Sequence, residues 1–364
     1  MSQTFEISSS VSSVPEKAQA LPAVLRWLRS HPEVVYCLFV VLLPVLAIPA
    51  FIALGKSDFF LHHGASVWVQ SNDAVFNMTH RNCDVLIFGD STAMTGIDPE
   101  IVEGSTGFHV CNISVTNAVL AVTGNLTLDS YLSRNPHPRV LVVQLSPDDF
   151  QKENRVWHHT IYAEGLLELL RHGSPEEAHK VLFEHPHEAV AFAGYAAGFS
   201  AYYAIKDVWF RVTHMRPEED TVQVRNGFFT PPSPPRTYCD STPTSIDQGG
   251  STFARSLTEN YRSHYSDQNS VVLVDVAPIP SCDSNLKAFT NQLQGVTSNN
   301  LQALPIGLFN DGRHYTAFGS RVVSTLLARQ INQVALENPS IDNRTPLNTQ
   351  TLTATLQPIS ATQP

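Results

Sequence analysis

Two short stretches of this chain carry side chains whose types and spacing suit one chemistry. Asp84-Val85-Leu86-Ile87-Phe88-Gly89-Asp90-Ser91 is an apolar β-branched run that ends in Gly-Asp-Ser. Asn310-Asp311-Gly312-Arg313-His314-Tyr315 holds an Asp and a His three residues apart. A serine hydroxyl becomes a nucleophile only when a base takes its proton, and an imidazole serves best when a carboxylate orients it. Ser91, His314 and Asp311 are therefore the candidate nucleophile, base and orienter for acyl transfer.

Each stretch alone is a weak signal, because small polar residues often follow a strand at ordinary turns. Their order along the chain is the stronger one. The serine closes the first strand, where open α/β sheets place their ligands. The Asp-x-x-His pair sits just before the last helix, with further strands between them.

In this pattern the chain resembles the SGNH, or GDSL-like, hydrolase family over roughly residues 84 to 333, excluding a long insertion. The resemblance implies a three-layer, flavodoxin-like α/β/α fold with a parallel sheet. It implies Ser91 as nucleophile, His314 as base and Asp311 as orienter, with no cofactor and no metal. The family's oxyanion hole uses the nucleophile's own N–H, a Gly after the second strand and an Asn after the third. Here Asn117 takes the glycine's place and Asp148, in Ser146-Pro147-Asp148-Asp149, takes the asparagine's. The candidates are thus Ser91, Asn117 and Asp148, although an ionised Asp148 cannot donate to an oxyanion. Asp90 is expected to bond loop amides at the start of the following helix.

The elements that must hold these residues read as alternating strands and helices. Strands are expected at residues 85–88, 110–113, 140–145 and 271–276, each a continuous apolar run of the kind buried on both faces. Helices are expected near 98–104, 119–133, 251–265 and 317–333, which implies right-handed crossovers in a parallel sheet. Residues 151–250 interrupt this alternation with helical text and a Pro-rich loop, and read as a lid or subdomain. Within it, the uncharged segment 189–205 is expected to be a buried or membrane-facing helix.

Residues 34–54 (VVYCLFVVLLPVLAIPAFIAL) contain no charge, and about 20 such residues cross a bilayer. The expectation is an uncleaved anchor over 33–55, since some thirty polar residues precede it and no convincing cleavage site follows. Lys17, Arg26 and Arg29 lie before it, so the N-terminus is expected in the cytoplasm and the domain from 56 to 336 outside. The Ser-rich residues 1–32 and the polar tail 337–364 read as disordered.

With 364 residues, 43% hydrophobic and 15% charged, the chain can bury a real core. A net charge of −10 without a basic cluster argues against nucleic acid as partner. Pairs such as His62-His63 and His158-His159 lack metal-site spacing. Four cysteines (Cys83, Cys111, Cys239 and Cys282) fall in the outer part, where disulfides are permitted. Three pairings exist; loop text favours Cys239 with Cys282, whereas Cys83 and Cys111 abut core strands and read most simply as buried thiols.

The function these features imply is that of a membrane-anchored esterase or O-acyltransferase. It would act on acyl esters, such as short acyl groups on envelope polysaccharide, and a multi-span membrane acyltransferase is a candidate partner. The alternative is a catalytically silent binding or assembly protein of the same fold, suggested by Asp148 and Asn117 at donor positions.

Overall fold

The computed structural model describes residues 27, 29–64, 66–151, 159–184, 186–213, 227–228, 234–239, 250–266 and 270–338. The expected disordered ends, 1–32 in large part and 337–364 almost wholly, and the Pro-rich loop of the insertion lie mostly outside these residues. The chain divides into two units, residues 1–50 and 51–364.

The first unit contributes most of helix α1, Pro32–Gly55, which carries the apolar run. Its Val35, Tyr36, Val40, Leu43 and Leu46 are exposed. Several other side chains of α1 lie outside the described set, and among the described residues no helix is long and apolar enough to cross a membrane.

The second unit begins with α2 (Asp58–Gly64) and α3 (Val67–Phe76) and then enters a mixed α/β body. In chain order this contains β1 (Val85–Gly89), α4 (Ser91–Gly96), α5 (Pro99–Thr106), β2 (Val110–Asn112), α6 (Asn117–Thr123), α7 (Leu126–Leu132) and β3 (Val140–Leu145). The insertion follows as α8 (His159–His172), α9 (Pro175–Glu184) and α10 (Pro186–Thr213). The chain returns through α11 (Gly250–Ser266), β4 (Val271–Val276), β5 (Ile279–Pro280), α12 (Leu286–Leu293), β6 (Ala303–Leu304) and α13 (Ala317–Glu337).

Four strands form one parallel sheet in the order β2-β1-β3-β4. They coincide with the four apolar runs. Successive side chains of β1 point to opposite faces. Val85 and Ile87 pack with Ile97, Val102, Val323 and Leu327 of the α4–α5 and α13 side. Leu86 and Phe88 pack with Leu128, Tyr131, Ala254 and Tyr261 of α7 and α11. Both faces are therefore covered, which is why the strands are mostly apolar instead of alternating, with Asn112, Gln144 and Asp275 as the buried polar exceptions.

Three features depart from the sequence reading. The helix expected at 119–133 is two helices, broken at Gly124, whose φ of 55° and ψ of −124° suit glycine. The short parallel pair β5–β6 adds a second sheet. Cys83 and Cys111 are not two thiols but a disulfide, with Cα atoms 5.8 Å apart, which ties the segment before β1 to β2. Cys239 and Cys282 form the other bridge.

The described part of the insertion is built into the wall of the domain. Leu166 and Leu167 of α8 and Phe192 of α10 share a core with Phe60, Leu61 and Val69, and Val122 of α6 packs against it. The segment 189–205 lies within α10. Phe192 and Ala193 near its start are buried, whereas Tyr202, Ile205, Val208, Trp209 and Val212 are exposed.

Candidate active site

β1 delivers the site. A Cβ on Gly89 would stand 1.8 Å from the carbonyl oxygen of Gln144, so only glycine lets β1 and β3 approach this closely before the chain turns. Asp90 then caps α4: its Oδ1 accepts from the Thr92 N–H at 2.8 Å and the Thr92 hydroxyl at 2.6 Å. Its Oδ2 accepts from the Ser146 N–H at 2.9 Å, which ties the loop after β3 to the loop after β1. Asp90 is thus a structural acceptor, and Ser91 is left as the first residue of α4.

β2 braces the same turn from the other side. The Asn112 amide donates to the carbonyls of Ala93 and Ile97, each at 3.0 Å. The Val115 N–H donates to Gly89 O at 3.0 Å.

The second half of the site is one closed loop. Phe309 and Tyr315 pair across its neck, and the Tyr315 hydroxyl donates to Pro278 O at 2.7 Å. Inside the loop, Asp311 Oδ1 accepts from the Arg313 and His314 N–H groups, both at 2.7 Å. That turn aims the His314 ring. Thr316 closes the segment by capping α13 through the Gly319 N–H at 3.0 Å.

These pieces bring three residues into line. His314 Nε2 is 2.9 Å from Ser91 Oγ, and His314 Nδ1 is 2.6 Å from Asp311 Oδ2. A proton on Nδ1 held by Asp311 leaves Nε2 as the acceptor for the serine hydroxyl. Burial would raise the Asp311 carboxyl, but the His314 side-chain bond and the two backbone N–H groups outweigh it and bring it down to about 2. The carboxylate is charged at every physiological pH.

Two residues that sequence reading missed support this line. The Trp68 ring lies 5.3 Å from the His314 ring, centroid to centroid. Asn72, one turn further along α3, grips the residue before Asn117: its amide donates to Thr116 Oγ1 at 3.1 Å, and its Oδ1 accepts from the Thr116 N–H at 2.9 Å. Neither has a local motif; only the packing of α3 brings them here.

The expected oxyanion residues are placed unevenly. Asn117 opens α6, and its side-chain amide donates to Asp149 Oδ1 at 2.6 Å. Asp148 does not stand as a donor. Its Oδ2 accepts from Arg313 Nε at 2.6 Å and from the Ser146 hydroxyl at 3.2 Å, and Arg313 also reaches Asp283 Oδ2 at 2.7 Å. The sequence could not reveal this, because Arg313 looks like filler between Asp311 and His314. Burial, then repulsion from Asp90, pushes the neighbouring Asp149 carboxyl well above the usual carboxylate range.

Two clefts flank the loops. One of about 250 Å³ runs from Asn117 and Asp149 over Leu120, Leu145, Leu257 and Tyr261. The other, about 430 Å³ and more polar, is lined by Asp148, Arg236, Asp283, Asn285 and Arg313. Comparisons of the chain with protein-family models and with curated proteins find no match.

Proposed function

We propose that this chain is a membrane-anchored serine esterase or O-acyltransferase of the SGNH, flavodoxin-like type. The observation that carries the reading is the unbroken hydrogen-bond line Ser91–His314–Asp311. The position of Ser91 at the carboxyl end of β1, in a sheet ordered β2-β1-β3-β4, agrees with it.

Ser91 Oγ attacks the ester carbonyl while His314 Nε2 takes its proton. The tetrahedral intermediate collapses, His314 returns the proton to the departing alcohol, and an acyl group remains on Ser91. Water or a sugar hydroxyl, deprotonated by the same imidazole, then attacks the acyl-serine, the bond from the acyl carbon to Ser91 Oγ breaks, and His314 returns the proton to Ser91. Water gives hydrolysis and the sugar gives transfer. The developing oxyanion is served by the Ser91 N–H and the Asn117 N–H, since Asp148 is held by Arg313. The cleft with Leu120, Leu145 and Leu257 suits a short acyl group, and the polar cleft beside Arg313 suits a hydroxylated acceptor.

The uncharged run 34–54 is the anchor in this reading, with the N-terminus cytoplasmic and the catalytic unit outside. The exposed apolar side chains of α1 support it. Acyl groups on envelope polysaccharide are the substrate class that suits such a tether, and a multi-span membrane acyltransferase is a fitting partner.

A fluorophosphonate probe tests the reading. Labelling at Ser91 of the folded protein, lost in Ser91→Ala, is expected. Absence of labelling would favour a silent binding protein. Acetate release from an aryl ester, compared with transfer to an added oligosaccharide, then separates hydrolase from transferase.

A further inference from the structure

A second cluster of chemically able side chains lies away from Ser91, between α3 and α8. Glu168 and His172 stand one turn apart on the inner side of α8, the spacing that places two side chains together on a helix. Asp73 of α3 faces them. His172 Nε2 is 2.7 Å from Asp73 Oδ1 and 3.6 Å from Glu168 Oε2. One donor atom from each residue falls within 4.8 Å of the other two.

Glu168 makes this cluster unusual. It is wholly buried, and neither carboxylate oxygen has a hydrogen-bond partner. Buried polar groups are almost always hydrogen-bonded, and a carboxylate in a dry site that has only the His172 Nε2 at 3.6 Å and no hydrogen bond is disfavoured. A proton on Glu168 would remove the charge yet leave the oxygens without partners. A cation shared with Asp73 and His172 would satisfy both needs.

The surroundings are arranged as an outer shell. Arg171 Nε donates to Asp73 Oδ1 at 2.7 Å, and the Asn77 amide donates to Asp73 Oδ2 at 2.9 Å, so the carboxylate is held on both sides. Phe76 stacks flat on the His172 ring at 4.6 Å. Such supports orient first ligands in metal sites.

We propose that Asp73, Glu168 and His172 bind one divalent first-row cation, of the Zn²⁺ or Mn²⁺ kind, that clamps the insertion helix α8 to α3. Two carboxylates and one imidazole are ligands such ions accept. The role is structural: α3 carries Trp68 against His314 and Asn72 against Thr116, so the ion fixes the helix that braces both halves of the site. This site is independent of the acyl-transfer reading.

The test uses the full chain purified in detergent and stripped with a chelator. Titration with Zn²⁺ or Mn²⁺ is expected to show one equivalent bound with micromolar or tighter affinity and to raise the melting temperature. Glu168→Gln, which preserves shape, is expected to weaken binding at least 100-fold and to abolish that rise, whereas Glu337→Gln on the surface changes neither. Binding by Glu168→Gln as tight as wild type, or no binding by the wild type, would overturn the proposal. Should the variant misfold, pulsed EPR of Mn²⁺ on the wild-type chain decides: coupling to one imidazole nitrogen supports the site, and its absence overturns it.

Discussion

Arg313 Nε lies 2.6 Å from Asp148 Oδ2, across 165 residues of chain, and the two side chains are only 23% and 28% exposed. Arg313, which lies between Asp311 and His314, is therefore the clamp that holds their loop to the segment after β3. Arg313→Ala leaves Asp148 and Asp283 facing each other without a cation. The expected result is a loss of about 2 kcal/mol in denaturant unfolding, since breaking a partly buried pair strands its partners, with ester turnover lowered about tenfold. Asp148→Asn is expected to give no gain in turnover; a clear gain would show that position 148 faces the oxyanion after all.

Asp311→Asn keeps the shape of the orienter but removes its charge and favours the wrong imidazole tautomer. Turnover of an aryl ester should fall by about 10³-fold with KM nearly unchanged. The wild-type carboxyl sits near 2 in the folded chain and near 3.9 when unfolded. Its contribution to stability is therefore present above about pH 4 and is lost as pH falls towards 2. The variant should lack that acid-dependent loss, a small effect because Asp311 is half exposed.

Asp275 on β4 gives the opposite sign. Burial raises its carboxyl to about 6, although Gln330 donates to it at 3.0 Å and Arg262 acts to lower it. Its raised value means that stability declines as pH climbs from about 4 to 6, where the unfolded chain ionises first. Asp275→Asn removes that decline and still accepts from Gln330. Urea unfolding should find the variant about 1–3 kcal/mol more stable than wild type at pH 7, and nearly equal to it at pH 4.

The two disulfides should separate by effect. The Cys83–Cys111 bridge closes 28 residues of chain, and replacing both cysteines by Ala should cost about 3 kcal/mol with turnover retained. The Cys239–Cys282 bridge anchors a segment whose Arg236 N–H donates to Phe309 O at 2.7 Å, at the neck of the His314 loop. Its removal should lower turnover as well as stability, measured on the same preparation.

What the sequence made legible was whatever neighbours in the chain decide. The four strands could be read because both their faces are buried, and His314 with Asp311 could be read because a three-residue spacing closes their bond. The contacts that depend on packing between distant segments could not. Trp68 on His314, Asn72 on Thr116 and Arg313 on Asp148 have no local signature. The pairing of Cys83 with Cys111 joins the segment before β1 to β2, an adjacency that the apolar runs alone do not set. Glu168 lies among Leu166, Leu167, Leu169 and Leu170 in helical text, and nothing local tells that it meets Asp73 of another helix.

The bond between Ser91 and His314 spans 223 residues, and it is the last link in the line to be synthesised. All four strands of the parallel sheet precede His314, so a growing chain holds every strand and Ser91 while still lacking His314 and the helix α13 that covers one face. In the proposed reading, the line Ser91–His314–Asp311 therefore closes only once the final loop and α13 have been made and have docked.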